Sequence, residues 1–163
     1  MELFKKLLLM AGIVLLLLPD SNIAQSFFNG DIAVELNVYG RIRLFSDNLT
    51  TRQVDRSSIL VGASSTAVFD YKEDAENLIP PATVPSPQFS DYEITVSIDN
   101  TYSNLPPNVV VEEHIFGWNS GGYAVGKLIV TNNETIGIDA VIGLEIIPQI
   151  DGSYGFENVS YDA

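Results

Sequence analysis

His114 is the single histidine of the 163-residue chain, and there is no cysteine. A Ser-His-Asp site needs only one imidazole, so nucleophilic hydrolysis would have to be built on His114. No Gly-x-Ser-x-Gly elbow occurs to present a serine to it. The strand-like stretch 109–116 puts His114 in phase with Glu112 and Phe116, and opposite Glu113 and Ile115. The expectation is a sheet-surface histidine beside carboxylates. A zinc centre would need a second His or a Cys, and the chain has neither.

Glycoside hydrolysis needs two acids placed across a sugar bond. Glu112 and Glu113 are neighbours on a strand and so point to opposite faces, which makes them a poor pair. Glu145, flanked by apolar residues, reads as an outward position on its own strand. No catalytic residue is assigned, and the chain is not expected to be an enzyme. Asp151, Glu157, Asn158 and Asp162 offer hard oxygens in a Gly-containing segment, the donor type calcium prefers. Their spacing does not match an EF-hand loop, so calcium is a weak candidate against an ordinary acidic surface loop, and no other cofactor is expected. Phe116-Gly117-Trp118, beside the Gly-rich turn that ends at Tyr123, is the one cluster with the look of a sugar-stacking platform, although core packing or strand-end capping is the favoured reading.

The elements that must carry these residues read as strands. Ile32, Val34, Leu36, Val38, Ile42 and Leu44 are all even-numbered, with charged or polar residues between most of them. Period two marks a strand with one buried face. A two-residue turn at Tyr39-Gly40 would reverse the phase of the second arm, so the unbroken alternation favours one long strand, kinked or bulged at Gly40, with a hairpin as the alternative. Residues 58–63 and 67–71 flank Ser64-Ser65-Thr66 as a hairpin. Residues 73–89 hold Pro80, Pro81, Pro85 and Pro87 and read as an extended surface connection, since proline suits neither a helix nor the middle of a sheet. Strand texture resumes at 92–98, 109–116, 123–131 and 138–147, separated by turn residues. No segment after residue 24 keeps a 3.6-residue period. The fold class is therefore all-β, an antiparallel sandwich of two packed sheets.

Lys5 and Lys6 precede an apolar run from Leu7 to Leu18, which Pro19 ends. As a helix that run spans about 18 Å, short of the roughly 30 Å hydrocarbon core of a bilayer. A basic segment, a short apolar segment and small residues up to Ala24 have the layout of a secretory signal peptide over residues 1–24. Residues 25–163 would then form a single β-sandwich domain, secreted or held at the cell surface, with no membrane span after cleavage. The net charge is −13. That balance argues against nucleic acid and anionic membrane surfaces as partners, because both attract Lys and Arg. An exported chain without cysteine must rely on packing, or on bound ions, for stability. Many bacterial envelope proteins do so, and the chain is expected to be bacterial.

The stretch from Val109 onward resembles a recurrent β-sandwich module of large secreted and surface proteins of Bacteroidetes-type bacteria. The resemblance rests on the strand texture of 109–116, on GGYAVGKLIVTNNET at 121–135, on IDAVIGLEIIPQIDG at 138–152, and on Asn158 with the Tyr161-Asp162 pair. It covers residues 109–163 and contains no catalytic residues. It implies an exported protein, often type IX sorted, and a chain that continues past Ala163, so that the sandwich would be incomplete at its C-terminus and the sequence a fragment. The expected function is a non-catalytic scaffold or surface-adhesion module, with surface glycans or other envelope proteins as partners. The alternative is a carbohydrate-binding or carbohydrate-active module.

Overall fold

The computed structural model describes residues 24–119 and 121–153. The expected signal peptide, apart from Ala24, therefore lies outside the described residues, as do Glu157, Asn158 and Asp162. Ten strands follow in order: β1 (Gln25–Phe28), β2 (Ala33–Leu36), β3 (Ile42–Phe45), β4 (Arg52–Ser64), β5 (Ala67–Asp70), β6 (Glu76–Thr83), β7 (Tyr92–Asp99), β8 (Val109–Gly117), β9 (Ala124–Asn132) and β10 (Val141–Pro148). A single 3-10 turn, Ile150–Gly152, is the only helical piece among the described residues. No helix among them is long and apolar enough to cross a membrane.

All strand pairs are antiparallel and form two sheets. One runs β1-β2-β3-β4-β10, with β5 also on β4; the other runs β6-β7-β8-β9. The sheets pack face to face through alternate side chains, as a period-two pattern requires. Val34, Leu36, Ile59 and Val61 come from the first sheet and Ile94, Ile98, Val109, Val111 and Ile115 from the second, all at most 2% exposed. Each such side chain contributes about 1.5–3 kcal/mol relative to staying in water. The fold is an all-β antiparallel sandwich, as the alternation predicts.

Two local expectations are corrected. Residues 32–44 are not one kinked strand but a β2–β3 hairpin, pairing Leu36 with Ile42 and Val34 with Leu44. An odd-numbered connection between paired residues preserves phase, so even residues face the core on both arms. Unbroken alternation thus does not distinguish a kinked strand from a hairpin with such a loop. Val34 and Leu36 are buried, while Ile42 and Leu44 are partly buried against the same core. The second correction concerns the proline-rich connection, where residues 76–83 form β6. It is an edge strand, and its pairing with β7 slips twice, between Asn77 and Ile79 and between Ile79 and Ala82. Pro80 and Pro81 fall within the second slip. An edge with a bulge is where a sheet tolerates a missing N–H donor. The Ser65-Thr66 hairpin between β4 and β5 matches the expectation.

β4 organises the first sheet. β10 pairs along it from Gly62 to Val54 on one side. On the other side β3 occupies residues 52–57 and β5 residues 60–64. The two short strands meet end to end and leave a notch. At the opposite border of the sandwich, where β9 and β10 are the outermost strands, the layers are less well closed. Ile142, Leu144 and Ile146 of β10 are between 51% and 59% exposed, and Leu144 lines a cavity of about 230 Å³ with Leu44 and Leu128.

This contrast sets a test of packing. Leu36→Ala should cost roughly 2–5 kcal/mol, as for other fully buried large-to-small changes. Leu144→Ala, already half exposed, should cost less than about 1 kcal/mol. Urea unfolding of both variants checks it, and equal losses would contradict the burial described here.

Candidate functional site

Three connections converge at one end of the sandwich. They are the β2–β3 turn (37–41), the β5–β6 connection (71–75) and the β7–β8 connection (100–108). The antiparallel register requires the last two to be neighbours, because Glu76 at the start of β6 pairs with Asp99 at the end of β7. Asn77 Nδ2 ties β6 to the Val38 carbonyl at 3.0 Å, and the Ser103 N–H donates to the Asp74 carbonyl at 3.5 Å.

A cavity of about 540 Å³ opens where these connections meet the notch on β4. Pockets for small ligands are commonly about 300–1,000 Å³. Tyr39 and Arg41 come from the turn, Arg56 from β4, Tyr71 and Lys72 from the β5–β6 connection, and Tyr102 from the β7–β8 connection. Asn37 and Ala75 complete the lining. Tyr71 is buried and belongs to the hydrophobic core, while Tyr102 is 72% exposed. The Arg56 guanidinium lies 5.7 Å from the Tyr71 ring centroid and is held by Glu145 at 3.3 Å. Burial pushes the Tyr71 phenol above its ordinary pKa, against the opposing pull of Arg56 and Arg41, so it stays a neutral hydroxyl near pH 7.

The turn that presents Tyr39 and Arg41 is built by Asn37. Its Oδ1 accepts the Tyr39 N–H at 3.0 Å and the Arg41 N–H at 2.8 Å, and its carbonyl accepts the Gly40 N–H at 3.1 Å. Gly40 has φ +76, a left-handed conformation that glycine adopts without steric cost. Space requires glycine as well: a Cβ there would lie 2.8 Å from Glu113 Oε1 and 2.9 Å from Ile98 Cδ1. The turn rests directly on those two core side chains.

Glu113 is the unusual member of the core. It shares a face with Val111 and Ile115, is fully buried, and neither carboxyl oxygen has a hydrogen-bond partner. Desolvation pushes its pKa up to about 8, so it is neutral near pH 7. Glu112 is exposed on the other face, as the alternation predicts. The inward phase of residue 113 among apolar neighbours was the available sign of burial, and the carboxyl group disguised it.

The other sequence candidates separate. His114 Nδ1 meets Glu93 Oε1 at 2.8 Å on the outer face of the second sheet, and its ring stacks near Phe116 at 6.1 Å. No hydroxyl hydrogen-bonds His114 among the described residues, so they assemble no triad. Glu145 is the partner of Arg56, partly buried on the outer face of β10. Asp151 Oδ1 accepts from Gln53 Nε2 at 3.3 Å, and the three other calcium candidates lie outside the described residues. No group of three or more His, Cys, Asp or Glu suited to a metal occurs among the described residues. Trp118 and Tyr123 do come together, with ring centroids 5.4 Å apart. They lie at the β8–β9 turn, the end of the sandwich opposite the tyrosine cavity.

No protein family matches the chain, and neither a curated protein nor a solved structure does.

Glu113 supplies a pH test. Its folded-state pKa, about 8, exceeds its ordinary value of 4.5. Between those values the unfolded chain releases this proton while the folded chain keeps it, so the stability contribution is complete below pH 4.5 and is lost as pH rises to 8. Glu113→Gln should remove that part of the decline and make the protein more stable than wild type at pH 8. Urea melts at pH 5 and pH 8 check the sign. Parallel curves for the two proteins would show that Glu113 ionises freely.

Proposed function

We propose that this chain is an exported, non-catalytic β-sandwich module with a scaffold or surface-adhesion role, and that it makes its contact by binding carbohydrate in the tyrosine cavity. The single observation that carries this reading is the gathering of Tyr39, Tyr71 and Tyr102 around one cavity. Aromatic rings offer flat apolar faces with a polar tip, which suits the mixed surface of a pyranose. The cavity lining brings phenols and cations together but no pair of carboxylates for acid–base hydrolysis of a glycosidic bond. That favours binding over a carbohydrate-active role. The resemblance of residues 109–163 to modules of Bacteroidetes-type surface proteins fits an envelope setting, and the acidic body disfavours nucleic acid.

Export rests on the layout of residues 1–24, and β1 begins at Gln25, so cleavage after Ala24 would spare the first strand. Mass spectrometry of the exported protein should find a mature N-terminus near Gln25 or Ser26. Recovery of a product that keeps Met1 in the membrane fraction would overturn that part.

The binding reading is tested on a glycan array with the mature protein. Tyr102→Ala, a change at an exposed ring, should abolish binding without changing the melting temperature, while Trp118→Ala should retain it. The reverse pattern would move the site to the β8–β9 turn. Release of reducing sugar from a bound glycan would make the module carbohydrate-active instead.

A further inference from the structure

We propose that the sugar taken by the tyrosine cavity carries a carboxylate, as a uronic-acid residue of an acidic polysaccharide, and that Arg41 and Lys72 hold that carboxylate. The proposal deepens the carbohydrate reading and rests on it.

The charge inventory is the first argument. The whole chain has eight Lys and Arg against 21 Asp and Glu, yet three of the eight line this one cavity and no acid does. Arg43, Arg52 and Arg56 each have a carboxylate within 4.0 Å. Arg41 has none among the described residues, nor has Lys72. In a chain with acids to spare, two unneutralised cations facing one cavity mark a place for an anion from outside.

The hydrogen-bonding capacity of the lining gives the second argument. Arginine and lysine side chains only donate. Asn37 spends its Oδ1 on the Tyr39 and Arg41 N–H groups, which leaves Nδ2 as its donor. Tyr71 remains a protonated phenol. A cavity dominated by donors selects a ligand rich in acceptors, and a guanidinium and an ammonium lining the same cavity suit a carboxylate.

The backbone of the turn separates a sugar acid from a peptide carboxylate. Capture of a chain terminus relies on a nest of free backbone N–H groups. Here the N–H groups of Tyr39, Gly40 and Arg41 are all satisfied within the turn. What remains for recognition is side-chain charge and aromatic face, the combination a uronate ring can use in full.

The test is calorimetric, with the mature protein and trimers of galacturonic, mannuronic and glucuronic acid. The best binder is compared with its own methyl ester, which keeps the ring and removes the charge, and with a short peptide bearing a free C-terminal carboxylate. The ester should bind at least about tenfold more weakly, the scale of losing one charge-assisted hydrogen bond. Arg41→Gln and Lys72→Gln should each weaken the acid roughly tenfold while leaving the ester unchanged. Lys72 is exposed, so its variant carries the test should Arg41→Gln fail to fold. Equal binding of acid and ester would overturn the proposal and leave the carbohydrate reading standing. Binding of the peptide as tightly as the acid would also overturn it. Failure of every saccharide to bind, on the array as well as in the calorimeter, would overturn both.

Discussion

The interlocking of one row of apolar side chains from each sheet holds this molecule together. With no cysteine to staple the layers, Val34, Leu36, Ile59 and Val61 must stay registered against Ile94, Ile98, Val111 and Ile115. β4 is central to that registration, because β3, β5 and β10 all hang on it. Its thirteen residues are served on one side by two four-residue strands. The notch between those strands follows from the strand lengths, and Tyr71, a member of the core, lines the cavity that opens there. The cavity is therefore continuous with the packing that stabilises the fold. Its wall could not be lost without disturbing the hydrophobic layer behind it.

Glu113 makes the same connection from the opposite direction. A buried carboxyl with both oxygens unpartnered costs roughly 1–3 kcal/mol even when neutral, a sizeable share of a marginal stability. Its position explains its reach. Gly40 sits against Glu113 and Ile98, so the height of the turn bearing Tyr39 and Arg41 is fixed by a core contact. A change of volume at residue 113 would therefore press directly on Gly40.

The strands were legible because alternation is a local property. Leu36 and Ile94 announce their faces through neighbours two residues away. What alternation cannot report is how an interval closes, and so Gly40 read as a kink although it closes a hairpin. The prolines of β6 were misread for a related reason: they exclude the middle of a sheet, and an edge strand with slipped pairing was available. The cavity was less legible still. Its lining comes from residues 37–41, 56, 71–75 and 102, four stretches that only the register of β4 and β7 brings together. One signal was present in the sequence, for all four arginines fall between residues 41 and 56 of a strongly acidic chain. Local pattern reading assigns such a cluster to a solvated strand face. The Glu93–His114 contact was hidden likewise, since it joins neighbouring strands across a diagonal of the β7–β8 register.

Under the proposed reading an acidic protein binds an acidic polymer, a conflict that distance would resolve. The net charge of −13 repels a polyanion at long range, but that repulsion is screened over about 10 Å at 0.1 M salt. Arg41, Arg56 and Lys72 line the cavity, with Arg56 already paired to Glu145, and charges in contact are screened far less than distant ones. On that reading the body would repel at long range while Arg41 and Lys72 attract at contact. Added salt relieves the long-range repulsion first and weakens the contact pairs only later, so association quickens before the complex loosens. A site of the proposed kind would hold weakly to a dilute free monomer and better to a polymer displayed at a surface, where one contact raises the local concentration for the next. That behaviour would suit the proposed adhesion role, and its physical source would be a few cations placed in a pocket of an otherwise anionic chain.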